Sequence, residues 1–362
     1  MTRPFLSLTG LAAVLLIPQH SVSAAKPRTS NITDLGTLGG PYSSAFGISN
    51  DPDLVRVVGW SHIAGRSGAY HAFYWVRGGP MTDLGTLGGN TSRAQDVNNH
   101  GQVVGQSRDP DWQEWGTVWT QDTRGVWRSE KLPAATPGLC CTNAVGISNG
   151  IAGDPASVVI VGVTIREFQG SQAAKWTHSA AGWGVQALGA LPGDSSSFAF
   201  GVNDNGAIVG VSQDASNVGR GFHWDPTGGM VELPSLDGNT VAMAINNAGE
   251  VTGSSTDGAG NAHAVRWTYS VTDQRWVVED LGTLADGCCS VGHGINSRGD
   301  VVGWSNTTPG TRRVVQHAFL AAPGSQGLAD LGALGRNSAA WDVNDANVVV
   351  GESGSNHAVV WN

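Results

Sequence analysis

The feature that most constrains the fold of this chain is an internal repeat. The heptad DLGTLGG occupies residues 34–40 and, unchanged, residues 83–89, and variants of it occupy residues 280–286 and 330–336. Its first leucine position recurs seven times, at Leu35, Leu84, Leu132, Leu188, Leu233, Leu281 and Leu331. A unit that returns so regularly predicts one repeat domain rather than a series of unlike domains.

Each unit contains four short runs in the same order. The heptad is followed by a small-residue run ending in Ile or Val and then Asn or Ser, by VVG or a variant, and by an aromatic run such as HAFYW at 71–75. No run has the i, i+3, i+4, i+7 apolar spacing of a helix. Four strands in about 40–50 residues are typical of a propeller blade. We therefore predict an all-β, seven-bladed β-propeller with four short antiparallel strands per blade. A β-solenoid is the alternative, although its rungs are usually shorter.

The two ends of the repeat region complement each other. The units cover roughly residues 34–82, 83–131, 132–187, 188–232, 233–279, 280–329 and 330–362. The last unit stops after its aromatic run NHAVVWN, and NITDLGTL at residues 31–38 is the strand that should follow such a run. We expect this N-terminal strand to complete the last blade and close the ring, which leaves no open sheet edge.

The N-terminus predicts export. Arg3 precedes the apolar stretch FLSLTGLAAVLLI, and small residues around Ala24 suit cleavage, so residues 1–25 read as a signal peptide. Residues 26–362 then form a single propeller domain, secreted or periplasmic, with no membrane span after signal removal. The net charge of −9 and the lack of a Lys/Arg cluster argue against nucleic-acid binding. We expect a monomer.

The repeated motifs resemble a known family. HAFYW at 71–75, followed by MTDLGTLGGNTSRAQDVNNHGQVVGQS at 81–107, is similar to the extracellular HAF-repeat proteins of bacteria. The resemblance covers roughly residues 31–362 and is weaker in the third, fourth and fifth units. It implies an exported repeat protein and no established chemistry.

Four cysteines form two adjacent pairs, Cys140–Cys141 and Cys288–Cys289, in the first turns of the third and sixth units. An exported chain favours oxidised thiols. Bridges between the two pairs would cross the ring, beyond the Cα separation of about 7 Å that a disulfide tolerates. Adjacent Cα atoms lie only about 3.8 Å apart, below the usual disulfide range. We favour two adjacent-residue disulfides, with free thiols as the alternative.

One place in the unit changes identity while its neighbours hardly change. It precedes the Gly, Ala or Asp that leads into Ile/Val–Asn/Ser, and it is occupied by Phe46, Gln95, Val145, Phe200, Met243, His293 and Trp341. Fixed places of a repeat build the scaffold, whereas varied places are free to differ or to bind. Aromatics mixed with His and Gln suit a carbohydrate surface or irregular packing. Trp60 and Trp304, which follow VVG, add aromatics that most units lack.

Polar residues of the first turns form a second set of candidates. Asp194, Asp237, Asp286 and Arg336 occupy this turn in units four to seven, so they should form an arc on one rim. They suit a polar cleft for a sugar or a cation, or simply good turns. Asp237, Asp286 and His293 are the nearest approach to an acid/base group.

The histidines of the aromatic runs are better explained by structure than by metal binding. We interpret His71, His263, His317 and His357 as strand residues whose ring nitrogens bond to a neighbouring blade. The Asn/Asp-Gly turns lack the closing acid of a calcium loop, and no catalytic or phosphate-binding motif occurs. No metal or cofactor is expected.

These patterns predict an exported, non-catalytic binding or surface-interaction protein. The expected ligand is a carbohydrate or cell-envelope polymer, held at the rim that carries the first turns. One alternative is a polysaccharide-active lyase or hydrolase with its site on the rim of repeats four to seven. Another is a purely structural or adhesive role.

Overall fold

A computed structural model describes residues 31–65, 68–138, 140–150, 153–154, 156–166, 170–285, 287–307, 314–325, 327–354 and 356–362. The predicted signal peptide and Asp286 lie outside these residues. The described strands form seven sheets of four antiparallel strands each. The prediction of an all-β, seven-bladed propeller is therefore confirmed.

Each blade begins with its strand nearest the propeller axis, the inner strand. The first blade contains β2 (Gly39–Ile48), β3 (Arg56–Ile63), β4 (Tyr70–Val76) and β5 (Thr82–Asp83). The second contains β6 (Ser92–Val97), β7 (Val103–Arg108), β8 (Glu114–Gln121) and β9 (Trp127–Lys131). The third contains β10 (Thr142–Ile147), β11 (Val159–Arg166), β12 (Gly170–Ser179) and β13 (Gly182–Gly189).

The fourth to sixth blades repeat this order. The fourth contains β14 (Ser196–Val202), β15 (Ile208–Gln213), β16 (Gly219–Asp225) and β17 (Gly229–Glu232). The fifth contains β18 (Thr240–Ile245), β19 (Val251–Thr256), β20 (Ala262–Ser270) and β21 (Arg275–Gly282). The sixth contains β22 (Ser290–Ile295), β23 (Val301–Asn306), β24 (Gln316–Ala321) and β25 (Ala329–Gly332).

The seventh blade is built from both ends of the repeat region. It contains β26 (Ser338–Val343), β27 (Val349–Ser353), β28 (His357–Trp361) and, as its outermost strand, β1 (Ile32–Asp34). β1 pairs with β28 in antiparallel register, with Ile32 opposite Trp361. The predicted closure by the N-terminal strand is confirmed, and it gives the outer edge of β28 a hydrogen-bonded partner.

Tryptophans of the third strands fill the interfaces between blades. Trp75 of the first blade shares a cluster with Val350 and Val360 of the seventh. Trp176 of the third blade shares another with Val104 of the second. The same place in the remaining blades holds Trp119, Trp224, Trp267, Ala321 and Trp361, all buried. The predicted interblade core is confirmed, and because each cluster draws on two blades, no blade completes its own core.

A buried hydroxyl at the start of each inner strand joins neighbouring blades. Ser92 Oγ accepts the backbone N–H of Ala72 in the preceding blade at 2.9 Å and donates to the Gly85 carbonyl at 2.6 Å. The accepting contact recurs at all seven boundaries, at Ser43, Ser92, Thr142, Ser197, Thr240, Ser290 and Ser338. Each hydroxyl satisfies backbone groups that would otherwise be buried without partners.

The heptad aspartate pairs with the histidine of the aromatic run. His71 Nδ1 lies 2.8 Å from Asp83 Oδ2, and the same Asp83 carboxylate accepts the backbone N–H of Gly85 at 2.7 Å. Equivalent pairs are His263–Asp280, His317–Asp330 and His357–Asp34. The structural interpretation of these histidines is confirmed, but the partner is wrong: the bond runs between the third and fourth strands of one blade, because the aspartate lies at the end of the fourth strand.

Two backbone positions explain letters that are constant in the repeat. A Cβ at Gly59, the glycine of VVG, would clash with the carbonyl oxygen of Ser44 on the inner strand, so only glycine allows this close approach. Asn347 takes the place that glycine holds in four other blades, and its φ is 59°, in the left-handed region that Asn tolerates. Both confirm predictions from the repeat.

The described residues include no helix with the length and apolar character that crossing a bilayer requires.

Truncation of an interblade tryptophan tests the core. Trp224 is 7% exposed and packs with Val161 and Ala173 of the third blade. We expect Trp224→Ala to lower the free energy of unfolding by about 3–5 kcal/mol, because it leaves a cavity between two blades. Urea denaturation measures the loss.

The matched control is Trp112→Ala, since Trp112 is 66% exposed in a loop. This change should alter the free energy of unfolding by less than about 0.5 kcal/mol. A loss below about 1 kcal/mol for Trp224→Ala would contradict the interblade assignment.

Candidate functional site: an axial cavity

The inner strand of each blade contains a β-bulge, and the bulged residue is the one that varies between repeats. In the first blade the register shifts between Ala45 and Gly47, so Phe46 has no partner on the second strand. The bulged residues of the seven blades are Phe46, Gln95, Val145, Phe200, Met243, His293 and Trp341. A bulge re-aims a side chain away from the regular ladder. All seven side chains line one cavity on the propeller axis.

The axial cavity has the size of a small-molecule site. Its volume is about 680 Å³, within the range of about 300–1,000 Å³ typical of ligand pockets. Apolar and hydrogen-bonding side chains both line it, and each of the seven bulged residues is half-buried. The blades thus hold their varied residues around a common space.

One wall of the cavity is aromatic. The rings of His293 and Trp341 lie 4.5 Å apart, edge to face, and those of Trp341 and Phe46 lie 5.8 Å apart. These residues come from the sixth, seventh and first blades, which are consecutive around the ring. The third, fourth and fifth blades supply Val145, Phe200 and Met243 to the opposite wall. One wall of the cavity is therefore aromatic and carries the ring nitrogens of His293 and Trp341, and the opposite wall is more apolar.

Several polar atoms of the cavity lining lack a hydrogen bond. His293 Nε2, Trp341 Nε1 and Asn99 Oδ1 are buried and have no partner among the described residues. Most buried polar atoms in folded proteins are paired, so each exception needs an explanation. Burial lowers the pKa of His293 to about 4, which keeps its imidazole neutral near pH 7, with one nitrogen a donor and the other an acceptor.

Acidic residues follow the bulge in two blades. Asp96 and Asp342 occupy a place that the other blades fill with Gly47, Gly146, Gly201, Ala244 and Gly294. Asp342 Oδ2 accepts the backbone N–H of Ile48 at 3.0 Å, and Asp96 Oδ2 accepts that of Ile147 at 2.9 Å. Each carboxyl therefore bridges to the next blade. Burial raises the pKa of Asp96 to about 6, and burial together with the Asp96 charge raises the pKa of Asp342 to about 8.

Trp60, Arg93 and Glu352 line the cavity from three consecutive blades. In the first blade, Trp60 pairs with Ser44, which lies two residues before the bulge. In the second blade, Arg93 itself lies two residues before the bulge. In the seventh blade, Glu352 pairs with the residue at that position. Burial raises the pKa of Glu352. These three side chains therefore mark one level of the cavity, at the end away from the Asn turns.

A ring of turn residues lines the other end. Asn149 Oδ1 accepts the backbone N–H of Asn99 from the neighbouring blade at 2.8 Å, and Asp204 Oδ1 accepts that of Asn149 at 2.6 Å. The same link joins Asp204 to Asn247, Ser297 to Asp345, and Asp345 to Asn50. The predicted turn chemistry is present, and these turns also connect blades, which the turn motifs alone do not indicate.

The rim residues lie outside this cavity. Asp194 is paired with Arg220 at 2.9 Å, and Arg220 also contacts Glu232. Asp237 and Arg336 are exposed in their turns. Asp194, Asp237, Arg336 and Trp304 are not among the residues that line the cavity, whereas Trp60 is. The described rim candidates thus do not join the bulged residues in one site.

The expected acid/base group is not assembled among the described residues. His293 lines the axial cavity, Asp237 is exposed on the rim, and Asp286 lies outside the described residues. His293 Nε2 has no hydrogen-bond partner there. The part of the chain that the structure describes holds no group of three or more His, Cys, Asp or Glu side chains placed to bind a metal ion.

The two cysteine pairs differ. Cys140 and Cys141 form a disulfide between adjacent residues, as expected. Cys288 and Cys289 are free, with their Sγ atoms 2.8 Å apart, so the second expected bridge is not present in this structure. Hydrogen bonds from Cys289 and Asn306 lower the pKa of the Cys288 thiol.

No family model and no curated protein sequence matches the chain, so its resemblance to the HAF-repeat proteins stays a prediction. Three solved structures illustrate the similarities that were found. TolB from Acinetobacter baumannii aligns with a TM-score of 0.41 and 13% identity over 72% of this chain. That match spans 63% of TolB's own length, less than two thirds of it.

The other two structures match over more of their length. A putative gluconolactonase aligns with a TM-score of 0.42 and 10% identity over 93% of each chain. A mutant of the Aleuria aurantia lectin in complex with α-methyl-L-fucoside aligns with a TM-score of 0.42 and 10% identity, over 82% of this chain and 98% of that one. Likenesses of this size carry no information about the ligand or activity of this chain.

The buried acids predict a pH-dependent stability. The folded-state pKa of Asp342, about 8, lies above its ordinary value of 3.8, so the folded chain binds more protons than the unfolded chain between these values. The contribution of Asp342 to the free energy of unfolding is therefore fully present below about pH 4, and it is lost as pH rises through about 8. The slope from this residue cannot exceed about 1.4 kcal/mol per pH unit. Urea unfolding across this interval measures it.

The repeat supplies the variant for this test. Asp342→Gly places at this position the residue that four other blades carry there, so the backbone accepts it. We expect this variant to show a shallower fall in stability with rising pH than the original chain. Equal slopes would mean that Asp342 is ionised in the folded state.

Alkylation distinguishes the two cysteine pairs. Without reductant, iodoacetamide should modify two thiols, and intact mass after reduction should show four. Cys288 should react before Cys289, because its pKa is lowered and it is exposed. Modification of none or of all four without reductant would contradict the assignment.

Proposed function

We propose that this protein binds a carbohydrate in the axial cavity and does not transform it. One observation carries the proposal: all seven varied side chains of the repeat converge, through seven β-bulges, on a single cavity of about 680 Å³. The scaffold positions are nearly constant around the ring, whereas the bulge position carries six different residue types in seven blades. This separation is what a binding site built on a repeat requires.

The chemistry of the lining supports a saccharide. A sugar ring presents an apolar C–H face and a rim of hydroxyls, and Trp341, Phe46 and Trp60 offer ring faces and edges to such a surface. His293 Nε2, Trp341 Nε1 and Asn99 Oδ1 supply two nitrogens and an oxygen without protein partners. Sugar hydroxyls both donate and accept hydrogen bonds, so they can satisfy all three atoms.

The electrostatics support binding rather than turnover. A general acid or base needs a partner within hydrogen-bond reach of the proton that moves. His293 is neutral near pH 7 and lacks a carboxylate partner among the described residues. Asp96 and Asp342 each accept a backbone N–H from the next blade, which gives both carboxyls a role in joining blades.

The predicted export signal is consistent with this role. A chain delivered to the periplasm or the cell exterior meets cell-envelope and environmental glycans, which are the ligands that the sequence also favours. Export and this choice of glycan source are parts of the proposal.

A thermal-shift screen against glycans tests the function. The wild type should gain stability with at least one saccharide, because a ligand that binds only the folded state stabilises it by about 2.7 kcal/mol at one hundred times its Kd. Product analysis of the same mixture should show the glycan unchanged. Absence of a shift with every glycan would overturn carbohydrate binding, and released products would overturn the non-catalytic part.

A matched pair of variants assigns the binding to the cavity. Trp341→Val introduces the residue that Val145 places at the same bulge, so the fold should accept it. We expect it to weaken saccharide binding at least about tenfold, a cost of about 1.4 kcal/mol. Trp304→Val, outside the cavity, introduces the residue found at Val163 and Val211 and should leave binding unchanged. Equal effects of the two changes would place the ligand elsewhere.

A further inference from the structure

Among the Lys and Arg residues that the structure describes, Arg93 alone lines the axial cavity. It comes from the inner strand of the second blade, and its side chain reaches toward the first blade. Its guanidinium carbon lies 5.8 Å from the ring centre of Phe46, 5.9 Å from that of Trp60 and 5.7 Å from that of Tyr70. Three aromatic rings therefore hold one cation at the edge of the cavity.

These contacts run between the guanidinium group and the ring faces and are not hydrogen bonds. Arg93 Nε is buried and has no partner among the described residues. None of the ion pairs found among the described residues involves Arg93. A guanidinium carries five N–H donors in a fixed fork that matches the two oxygens of a carboxylate. An arginine held in this state is set to receive an anionic group from outside the protein.

The neighbouring acids do not serve as that group. Glu352 lies on the same level of the cavity as Arg93, two blades away, with Trp60 between them. Glu352 forms no ion pair with Arg93 among the described residues, and burial raises its pKa. The nearest acid on the same strand, Asp96, accepts backbone N–H groups of Val97 and Ile147. Arg93 is thus separate from the acids of the lining.

The charge of the lining sets how much negative charge a ligand can carry. The acidic residues that line the cavity are Asp96, Asp204, Asp342, Asp345 and Glu352. Against these stands one permanent cation, Arg93, since His293 is neutral near pH 7. A single negative charge can pair with Arg93, whereas the second charge of a dianion such as a phosphate monoester would find no further Lys or Arg of the described chain in the lining. The cavity therefore suits a monoanion.

We propose that the ligand is an acidic saccharide whose carboxylate pairs with Arg93 while its ring packs against the wall of Trp341 and Phe46. This inference rests on the proposed function and names the class of sugar: a uronic acid or another carboxylate-bearing sugar. Arg93 lies two residues before the bulge, about 7 Å along the strand from the bulge level. The charged group and the ring of one sugar unit can therefore occupy neighbouring levels of the cavity.

The test compares sugars that differ only in charge. Oligosaccharides of glucuronate, galacturonate and mannuronate are each assayed beside the carboxyl-reduced form of the same oligosaccharide, which is neutral. Calorimetric titration of the wild type should show that at least one acidic oligosaccharide binds about tenfold more tightly than its reduced counterpart. Added salt should weaken the acidic ligand more than the neutral one, because it screens the ion pair.

Variants of Arg93 connect the preference to this residue. Arg93→Gln should remove the difference between acidic and neutral oligosaccharides, and Arg93→Lys should keep part of it, since lysine retains the charge but not the fork. The control is Arg128→Gln, on the outer strand of the same blade, where the side chain is 61% exposed and pairs with Asp122. It removes the same charge and should leave the preference intact.

The outcomes separate the two proposals. Wild-type binding that is equal for acidic and reduced oligosaccharides would overturn the acidic-sugar inference and leave carbohydrate binding in place. A preference that survives Arg93→Gln would overturn the role of Arg93. Absence of binding to every acidic and neutral saccharide would overturn the proposed function itself.

Discussion

The hydroxyl at the start of each inner strand accepts an N–H from the preceding blade, as Ser92 does from Ala72. This contact fixes where each inner strand begins relative to the third strand of the preceding blade, and it recurs at all seven boundaries. With the starts of the strands aligned, the bulged residue follows the hydroxyl residue by three positions in every blade, so the bulges fall on one level around the axis. The cavity is a consequence of this alignment, since a shift of one strand would move its bulged side chain out of the common space.

The bulge also separates the scaffold from the site. Phe46, Trp341 and their counterparts have no partner on the second strand, so their identity does not affect the ladder. The residues on either side do affect it, because neighbouring inner strands nearly touch there. A Cβ at Gly47 would lie 2.8 Å from the Cα of Asp96. A side chain at residue 47 is therefore excluded where the next blade carries Asp96, whereas the bulge itself accepts residues of very different size.

The sequence predicted the fold almost completely, because the repeat reports strand number, turn positions and ring closure directly. It also identified the varied residues, but it could not show that they face the axis, since a bulge changes which way a side chain points. Arg93, Asp96, Asp342 and Glu352 were missed. The available signal was a departure from the repeat: Asp342 stands where four blades have glycine. The pairing of Asp34 with His357 was not predicted, because the two residues lie 323 positions apart in the sequence and meet only when the ring closes.

The geometry of the bulges has a consequence for how such a cavity can change over time. Each inner strand around the axis contributes one bulged side chain to the cavity, and each inner strand belongs to a different repeat. Exchange of a single repeat would therefore replace one bulged side chain of the cavity lining, while the other six keep their positions. Affinity for a new sugar could arise by recombining existing repeats, with no need for the ring to be redesigned.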